Sequence, residues 1–131
     1  MKALLSKAPG GPETLVLEEV PAPSAAPGEL LVRVKACAIN YPDVLIIEDK
    51  YQFKPPRPFA PGGEIAGVVE AVGEGVTGWA PGDRLIAMLG HGGLAEKVLV
   101  AADKAVPLPP ERGFPEASAL ILTYATTLPP L

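Results

Sequence analysis

Apolar and polar residues alternate in short runs along most of the chain, and Gly or Pro residues separate the runs. The clearest run is Glu29–Ala38, where Leu31, Arg33 and Lys35 fall on one face and four apolar residues fall on the other. A period of two is typical of a β-strand with one buried face. We therefore predict a half-buried strand that turns its charged face to water.

The remaining runs predict further strands, tight turns and two helices. Pro-Gly pairs at residues 27–28 and 81–82 predict turns, because Pro presets φ and Gly accepts a positive φ. Asn40 before Tyr41-Pro42 predicts a helix start, with one or two turns over Pro42–Glu48, and a second helix is predicted over Phe114–Thr127. The other predicted strands are Lys2–Ser6, Leu15–Val20, Glu64–Val72, Arg84–Met88 and Leu94–Val100, with residues 106–110 extended. This order favours a mainly β fold, a partly open and mostly antiparallel β-barrel with one or two short helices.

A proline-rich loop, Asp49–Pro61, interrupts the strands and carries Tyr51, Phe53 and Phe59. Proline cannot donate a ladder hydrogen bond, so this segment cannot pair as a central strand. The aromatic side chains either pin the loop to the core or form the wall of a pocket.

Composition and charge exclude several classes of function. The 131 residues support a single domain, and 14 Gly with 17 Pro suit short strands joined by turns. A net charge of −4 without a basic run argues against nucleic-acid binding. No apolar run reaches the roughly 20 residues that a membrane helix needs. The single cysteine, Cys37, forbids an internal disulfide, so we expect a cytoplasmic protein in a reducing compartment.

Residues 61–76 read PGGEIAGVVEAVGEGV, and PGDR follows at 81–84. This pattern resembles the catalytic, GroES-like domain of the medium-chain dehydrogenase/reductase superfamily, and most closely its zinc-independent, zeta-crystallin-like quinone oxidoreductase branch. The resemblance covers residues 1–127 and implies a GroES-like catalytic and substrate domain. Residues 128–131 form a proline-containing tail at the point where a Rossmann domain follows in the family.

The resemblance also implies that no metal is bound. Zinc-dependent members of the superfamily carry a ligand cysteine at the position of Asn40 and a ligand histidine at the position of Gly63. A catalytic zinc site needs about three protein ligands. Cys37 and His91 alone cannot supply them, and His91 is interpreted as a solvated loop residue.

Candidate site residues lie where a strand ends and the first helix begins. In the resembling enzymes, the residues matching Asn40 and Asp43 lie beside the nicotinamide ring, and an Asn side chain can orient a carboxamide or a carbonyl. The resemblance therefore implies Asn40, Asp43 and Tyr51 as catalytic residues. It implies Asn40, Tyr41 and Thr123 as cofactor-binding residues. The alternatives are a helix cap for Asn40, a first-turn charge for Asp43 and a helix hydroxyl for Thr123.

By resemblance, the chain is the substrate-binding half of an NADPH-dependent quinone oxidoreductase, which transfers hydride to a quinone or another electron-poor double bond. It has no strand–Gly-x-Gly-x-x-Gly–helix unit, so we expect no tight NADPH binding and no turnover by this chain alone. Whether it is an enzyme by itself stays open. The alternatives are a non-catalytic GroES-like interaction module and a piece of an enoyl-thioester reductase. Uncovered apolar faces would favour a homo-oligomer.

Overall fold

A computed structural model describes residues 1–109. In this range the chain forms seven strands and one α-helix. The strands are β1 (Lys2–Leu5), β2 (Val16–Glu19), β3 (Glu29–Ala38), β4 (Glu64–Val72), β5 (Arg84–Met88), β6 (Lys97–Ala101) and β7 (Ala105–Pro107). Helix α1 spans Tyr41–Ile47, and 3-10 turns cover Pro12–Thr14 and Ala102–Lys104.

All strand pairs are antiparallel and form two sheets. β1 pairs with β2 in a small sheet, and the larger sheet has the order β6-β3-β4-β5-β7. The larger sheet does not close on itself. The predicted mainly β, GroES-like, partly open antiparallel architecture is therefore confirmed. The predicted helix Phe114–Thr127 lies outside the described residues.

The main core lies on one face of the larger sheet. Its fully buried members come from β3, β4, β5 and β6, which explains why these runs are rich in Val, Leu and Ile. They are Leu30, Val32, Ile65, Val69, Leu85, Ala87 and Val100. Aliphatic residues fill this cluster, as the low aromatic content requires.

Strand β3 departs from strict alternation at one point. Leu31 is buried beside Leu30 and Val32, although the pattern predicts it on the charged face with Arg33. The register against β4 shifts between Leu31 and Val32, where Glu70 is the extra residue of a bulge on β4, whereas the pairing of β3 with β6 stays regular. Beyond the bulge the charged face is present, since Arg33 Nη2 lies 2.7 Å from Glu70 Oε1.

The predicted strand Leu94–Val100 begins later than expected, at Lys97. The residues before it bond to β1 as well as to β3, since Val34 N–H of β3 donates to the carbonyl of Glu96 at 2.9 Å. Leu4 N–H donates to the carbonyl of Leu94 at 2.9 Å, and Glu96 N–H donates to the carbonyl of Lys2 at 3.0 Å. This short segment therefore joins the two sheets, and alternation alone could not assign it to one of them.

None of the helices within residues 1–109 is long and apolar enough to cross a membrane.

Candidate functional site

Helix α1 begins at the end of β3, as the Asn40-Tyr41-Pro42 motif predicts. Asn40 is the N-cap residue and forms a capping box with Asp43 at the third helical position. The Asp43 Oδ2 atom accepts a hydrogen bond from the backbone N–H of Asn40 at 2.8 Å. The cap interpretation of Asn40 is thus correct, and the Asp43 side chain holds the Asn40 backbone in place.

The carboxyl group of Asp43 is buried, with 6% of the residue exposed. Burial raises the pKa of this carboxyl, and hydrogen bonds from the backbone N–H groups of Asn40 and Gly63 oppose the rise. Asp43 therefore links the start of α1 to the segment that leads into β4. A charged side chain in the first turn that only interacts with the helix dipole would remain in solvent, whereas Asp43 is buried.

Glu64 is the second buried carboxyl of the cluster and is 1% exposed. The amide Nδ2 of Asn40 approaches Glu64 Oε2 at 3.5 Å. The Cys37 thiol lies nearby, and its pKa is raised to about 11, first by burial and then by the charge of Asp43. Cys37 is therefore protonated at neutral pH and behaves as a small apolar residue.

Gly63 occupies the position where the zinc-dependent enzymes carry a ligand histidine. A Cβ atom at this position would lie 2.7 Å from the backbone carbonyl oxygen of Leu89 and 3.5 Å from Asp43 Oδ1. Gly63 is thus required by the close approach of the two strands. Within residues 1–109, no group of three or more His, Cys, Asp or Glu side chains is arranged to hold a metal ion.

The side chains of the two candidate tyrosines are exposed and are not hydrogen-bonded to this cluster. Tyr41 is the first residue of α1 and is 74% exposed, and Tyr51 in the proline-rich loop is 38% exposed. Neither residue hydrogen-bonds to Asn40, Asp43 or Glu64. Thr123 lies outside the described residues. The structure therefore brings together Asn40 and Asp43 from the predicted set, and it adds Glu64 and Gly63.

An apolar groove of about 660 Å³ opens between the small sheet and the larger one, and Asn40, Asp43 and Glu64 do not line it. Phe53, Phe59 and His91 contribute to its lining. Phe59 is buried and anchors the loop, whereas Phe53 is half-exposed, so both expected roles of the loop aromatics occur. The groove adjoins the cluster through Gly63 and Gly90, because a Cβ at Gly63 would lie 3.7 Å from the Gly90 carbonyl oxygen.

His91 differs from the solvated loop residue that its glycine-rich surroundings predict. Its ring stacks on Phe53, with centroids 5.7 Å apart and planes inclined by 29°, and meets the edge of Phe59 at 5.6 Å. Burial lowers the pKa of His91 below its ordinary value, so the ring is neutral at physiological pH. The sequence carried no local signal for this contact, since Phe53 and His91 are far apart along the chain.

Residues 26–110 match the family described as alcohol dehydrogenase GroES-like domain. Relatives include a synaptic vesicle membrane protein VAT-1 homolog from Homo sapiens, 39% identical over 119 residues that make up 89% of this chain and 30% of that protein. A quinone oxidoreductase from Rattus norvegicus is 38% identical over 121 residues, covering 89% of this chain and 36% of that protein. A trans-enoyl reductase from Fusarium mangiferae is 41% identical over 120 residues, covering 92% of this chain and 31% of that protein.

Solved structures show the same fold. A probable oxidoreductase from Mycobacterium abscessus matches with a TM-score of 0.90 and 44% identity, covering 96% of this chain and 40% of that one. The quinone oxidoreductase from Thermus thermophilus, solved also with NADPH, matches with a TM-score of 0.77 and 36% identity over 98% of this chain and 42% of that one.

The chain spans between 30% and 36% of the length of these curated relatives. The family match covers most of the chain, and the relatives and solved structures agree with it. The chain therefore belongs to the alcohol dehydrogenase GroES-like domain family, within the medium-chain dehydrogenase/reductase superfamily.

Proposed function

We propose that this chain supplies the catalytic and substrate-binding part of an NADPH-dependent oxidoreductase that reduces a quinone or another activated double bond. The observation that carries the proposal is the Asn40–Asp43–Glu64 cluster, which is linked through Gly63 to Gly90, a lining residue of an apolar groove. Two relatives named quinone oxidoreductase, one of them solved with NADPH, support this reaction class. The cytoplasm is the proposed compartment.

The residues present fit one end of a nicotinamide cofactor. Asn40 is partly exposed, and its side-chain amide offers both a donor and an acceptor, which match a carboxamide. NADPH supplies hydride when it is bound. Asp43 keeps the Asn40 backbone fixed through the 2.8 Å hydrogen bond, so the amide is positioned before a ligand arrives.

Glu64 limits the orientations of the same amide, because its Oε2 atom lies 3.5 Å from Asn40 Nδ2. With Nδ2 directed to this carboxylate, the Asn40 side-chain oxygen serves the capping box with one lone pair and offers its second lone pair to a ligand N–H. The adjoining groove excludes water from the face of an apolar substrate. In this proposal the chain orients its ligands and takes no covalent part in the reaction.

The test is a chimera in which this chain replaces the corresponding domain of the Thermus thermophilus quinone oxidoreductase. We expect NADPH-dependent reduction of duroquinone, and we expect Asn40→Ala to lower kcat/KM about 10- to 100-fold through lost positioning. Gln52→Ala, which removes an exposed amide from the neighbouring loop, is the matched control and should leave kcat/KM unchanged. A folded chimera that binds NADPH and reduces neither a quinone nor another activated double bond would contradict the proposal.

A second candidate is reduction of an enoyl thioester, favoured by the 41% identity to a trans-enoyl reductase. The same chimera distinguishes the two when a trans-2-enoyl thioester is offered beside duroquinone. A chimera that reduces neither substrate would support the third interpretation, a non-catalytic GroES-like interaction module.

A further inference from the structure

The groove beside the Asn40 cluster is lined mostly by apolar side chains, and His91 is an exception. Among the described residues, none forms a hydrogen bond with the His91 ring. His91 is partly buried, and every fully buried side-chain nitrogen or oxygen in residues 1–109 has a hydrogen-bond partner. Because the ring nitrogens of His91 have no such partner, they must lie at the accessible surface. A polar ring with open hydrogen-bonding capacity therefore forms part of an apolar wall.

Phe59 supports the His91 ring and is itself held in place by several contacts. Phe59, which meets the edge of the His91 ring, exchanges backbone hydrogen bonds with Ser6 at 2.8 and 3.2 Å. The guanidinium of Arg57 lies 5.3 Å from the centroid of the Phe59 ring and donates to the carbonyl of Ile47 at 2.9 Å. Phe59 is thus held by Ser6, which follows β1, and by Arg57, which bonds to α1, and it gives His91 a rigid base.

The backbone around His91 is held equally firmly. Gly92 N–H donates to the Ala60 carbonyl at 2.7 Å, and Gly93 N–H donates to the Gly62 carbonyl at 2.9 Å. Gly90 has no room for a side chain, because a Cβ there would lie 2.9 Å from Phe53 Cε2. The backbone of His91 is therefore held in place before any ligand binds, and the Phe53 ring stacks against its side chain.

We propose that the Phe53–His91 pair is the specificity-determining wall of the groove, and that it selects a flat, apolar ring carrying a carbonyl group. The ring of such a ligand stacks on the two aromatic side chains, and the neutral imidazole donates a hydrogen bond to the carbonyl oxygen. The inference rests on the proposed function, because it names the residues that recognise a quinone-like substrate.

Two lysines also line the groove, but they fit this role less well. Lys97 Nζ already lies 2.8 Å from Glu70 Oε2, and Lys104 is exposed to solvent. A hydrated ammonium group can donate a hydrogen bond to a carbonyl oxygen, but it offers no flat surface on which a ring could stack. Among the described lining residues, His91 combines a stacking surface with a hydrogen-bond donor.

The test compares duroquinone with durene, which has the same methylated ring without the two carbonyl groups. Binding to the 131-residue chain is followed at pH 8 through the amide resonances of Gly90 and Gly92, which every variant retains. His91→Phe keeps an aromatic ring and removes the donor, and His91→Gln keeps a donor and removes the ring. We expect His91→Phe to weaken duroquinone binding about 3- to 10-fold and to leave durene binding unchanged. His91→Gln should keep the preference for duroquinone over durene.

Equal affinity of duroquinone for the wild-type chain and His91→Phe would overturn the inference and leave the proposed function standing. Duroquinone that leaves the Gly90 and Gly92 resonances of the wild-type chain unchanged would also overturn it. Failure of the proposed function is read separately, from a folded chimera that reduces neither duroquinone nor the trans-2-enoyl thioester.

Discussion

Single residues at the start of α1 show both the reach and the limit of reasoning from sequence. Asn40, followed three positions later by Asp43, predicts a capped helix start, and the capping box is present. The burial of Asp43 was not predictable, because it depends on Gly63, which approaches from a distant part of the chain. Local rules identify a cap, whereas tertiary contacts decide whether its carboxyl is in water.

Asp43 provides the first prediction. Asp43→Ala leaves the backbone N–H groups of Asn40 and Gly63 without their acceptor, so the free energy of unfolding should fall by about 1–3 kcal/mol. Asp43→Asn keeps one acceptor oxygen and should therefore lower the free energy of unfolding by a smaller amount. Urea unfolding at pH 7 measures both variants, with Asp103→Ala at an exposed position as the control. Equal losses for the Ala and Asn variants would contradict the assigned hydrogen bonds.

The second prediction concerns His91, the only histidine of the chain. Because burial lowers its pKa, its NMR titration in the folded chain should have a midpoint below 6.5, and the urea-unfolded chain should titrate near 6.5. Between these two values the unfolded chain binds more protons, so the free energy of unfolding rises with pH. This contribution is complete above pH 6.5 and is lost as the pH falls through the folded pKa. A folded midpoint at or above 6.5 would show that the ring is not desolvated.

At the scale of elements, strands were predictable wherever one face is buried and turns mark both ends. The bounds of Glu29–Ala38, Glu64–Val72 and Arg84–Met88 agree with the structure. The predicted and observed bounds agree less well for Leu94–Val100, because its first residues also bond to β1 of the small sheet. The two register shifts between β3 and β4 were also beyond prediction, since a bulge depends on the partner strand.

One bulge gives the third prediction. Gly67 on β4 faces the irregular part of β3, and a Cβ there would lie 2.4 Å from the carbonyl oxygen of Arg33. Gly67→Ala should therefore lower the free energy of unfolding by about 1–3 kcal/mol or more, because the backbone must move.

Gly82→Ala is the matched comparison for this substitution. Gly82 has a φ of 95° and open space around it. An Ala there should therefore lower the free energy of unfolding only by the backbone strain, about 1–2 kcal/mol. Chemical denaturation of both variants measures the difference. The assigned close approach would be refuted if Gly82→Ala were the more harmful change.

At the scale of the whole molecule, the described fold leaves several large apolar side chains in solvent. Leu17 on β2 is 64% exposed, and Ile39 at the end of β3 is 54% exposed. Paired apolar surfaces are a common response to such exposure, so the expected homo-oligomer remains a prediction. The comparisons with related proteins establish the family and say nothing about self-association.

Light scattering tests this fourth prediction. The purified chain should show a mass of at least twice 13.5 kDa at high concentration. Leu17→Lys should shift the population toward the monomer if β2 lies in the contact, whereas Thr77→Lys, at an exposed polar position, should not. A single 13.5 kDa species at all concentrations would exclude self-association of this chain.

The bond between β1 and the segment before β6 also has a consequence for biosynthesis. Lys2 and Glu96 are 94 positions apart, so the first strand leaves the ribosome long before the backbone it must join has been made. Loop closure over such a separation is slow, and an unpaired edge is open to other chains in the meantime. We therefore expect the amino-terminal hairpin to dock late in folding, and nascent chains stalled before Glu96 to be the most prone to aggregation.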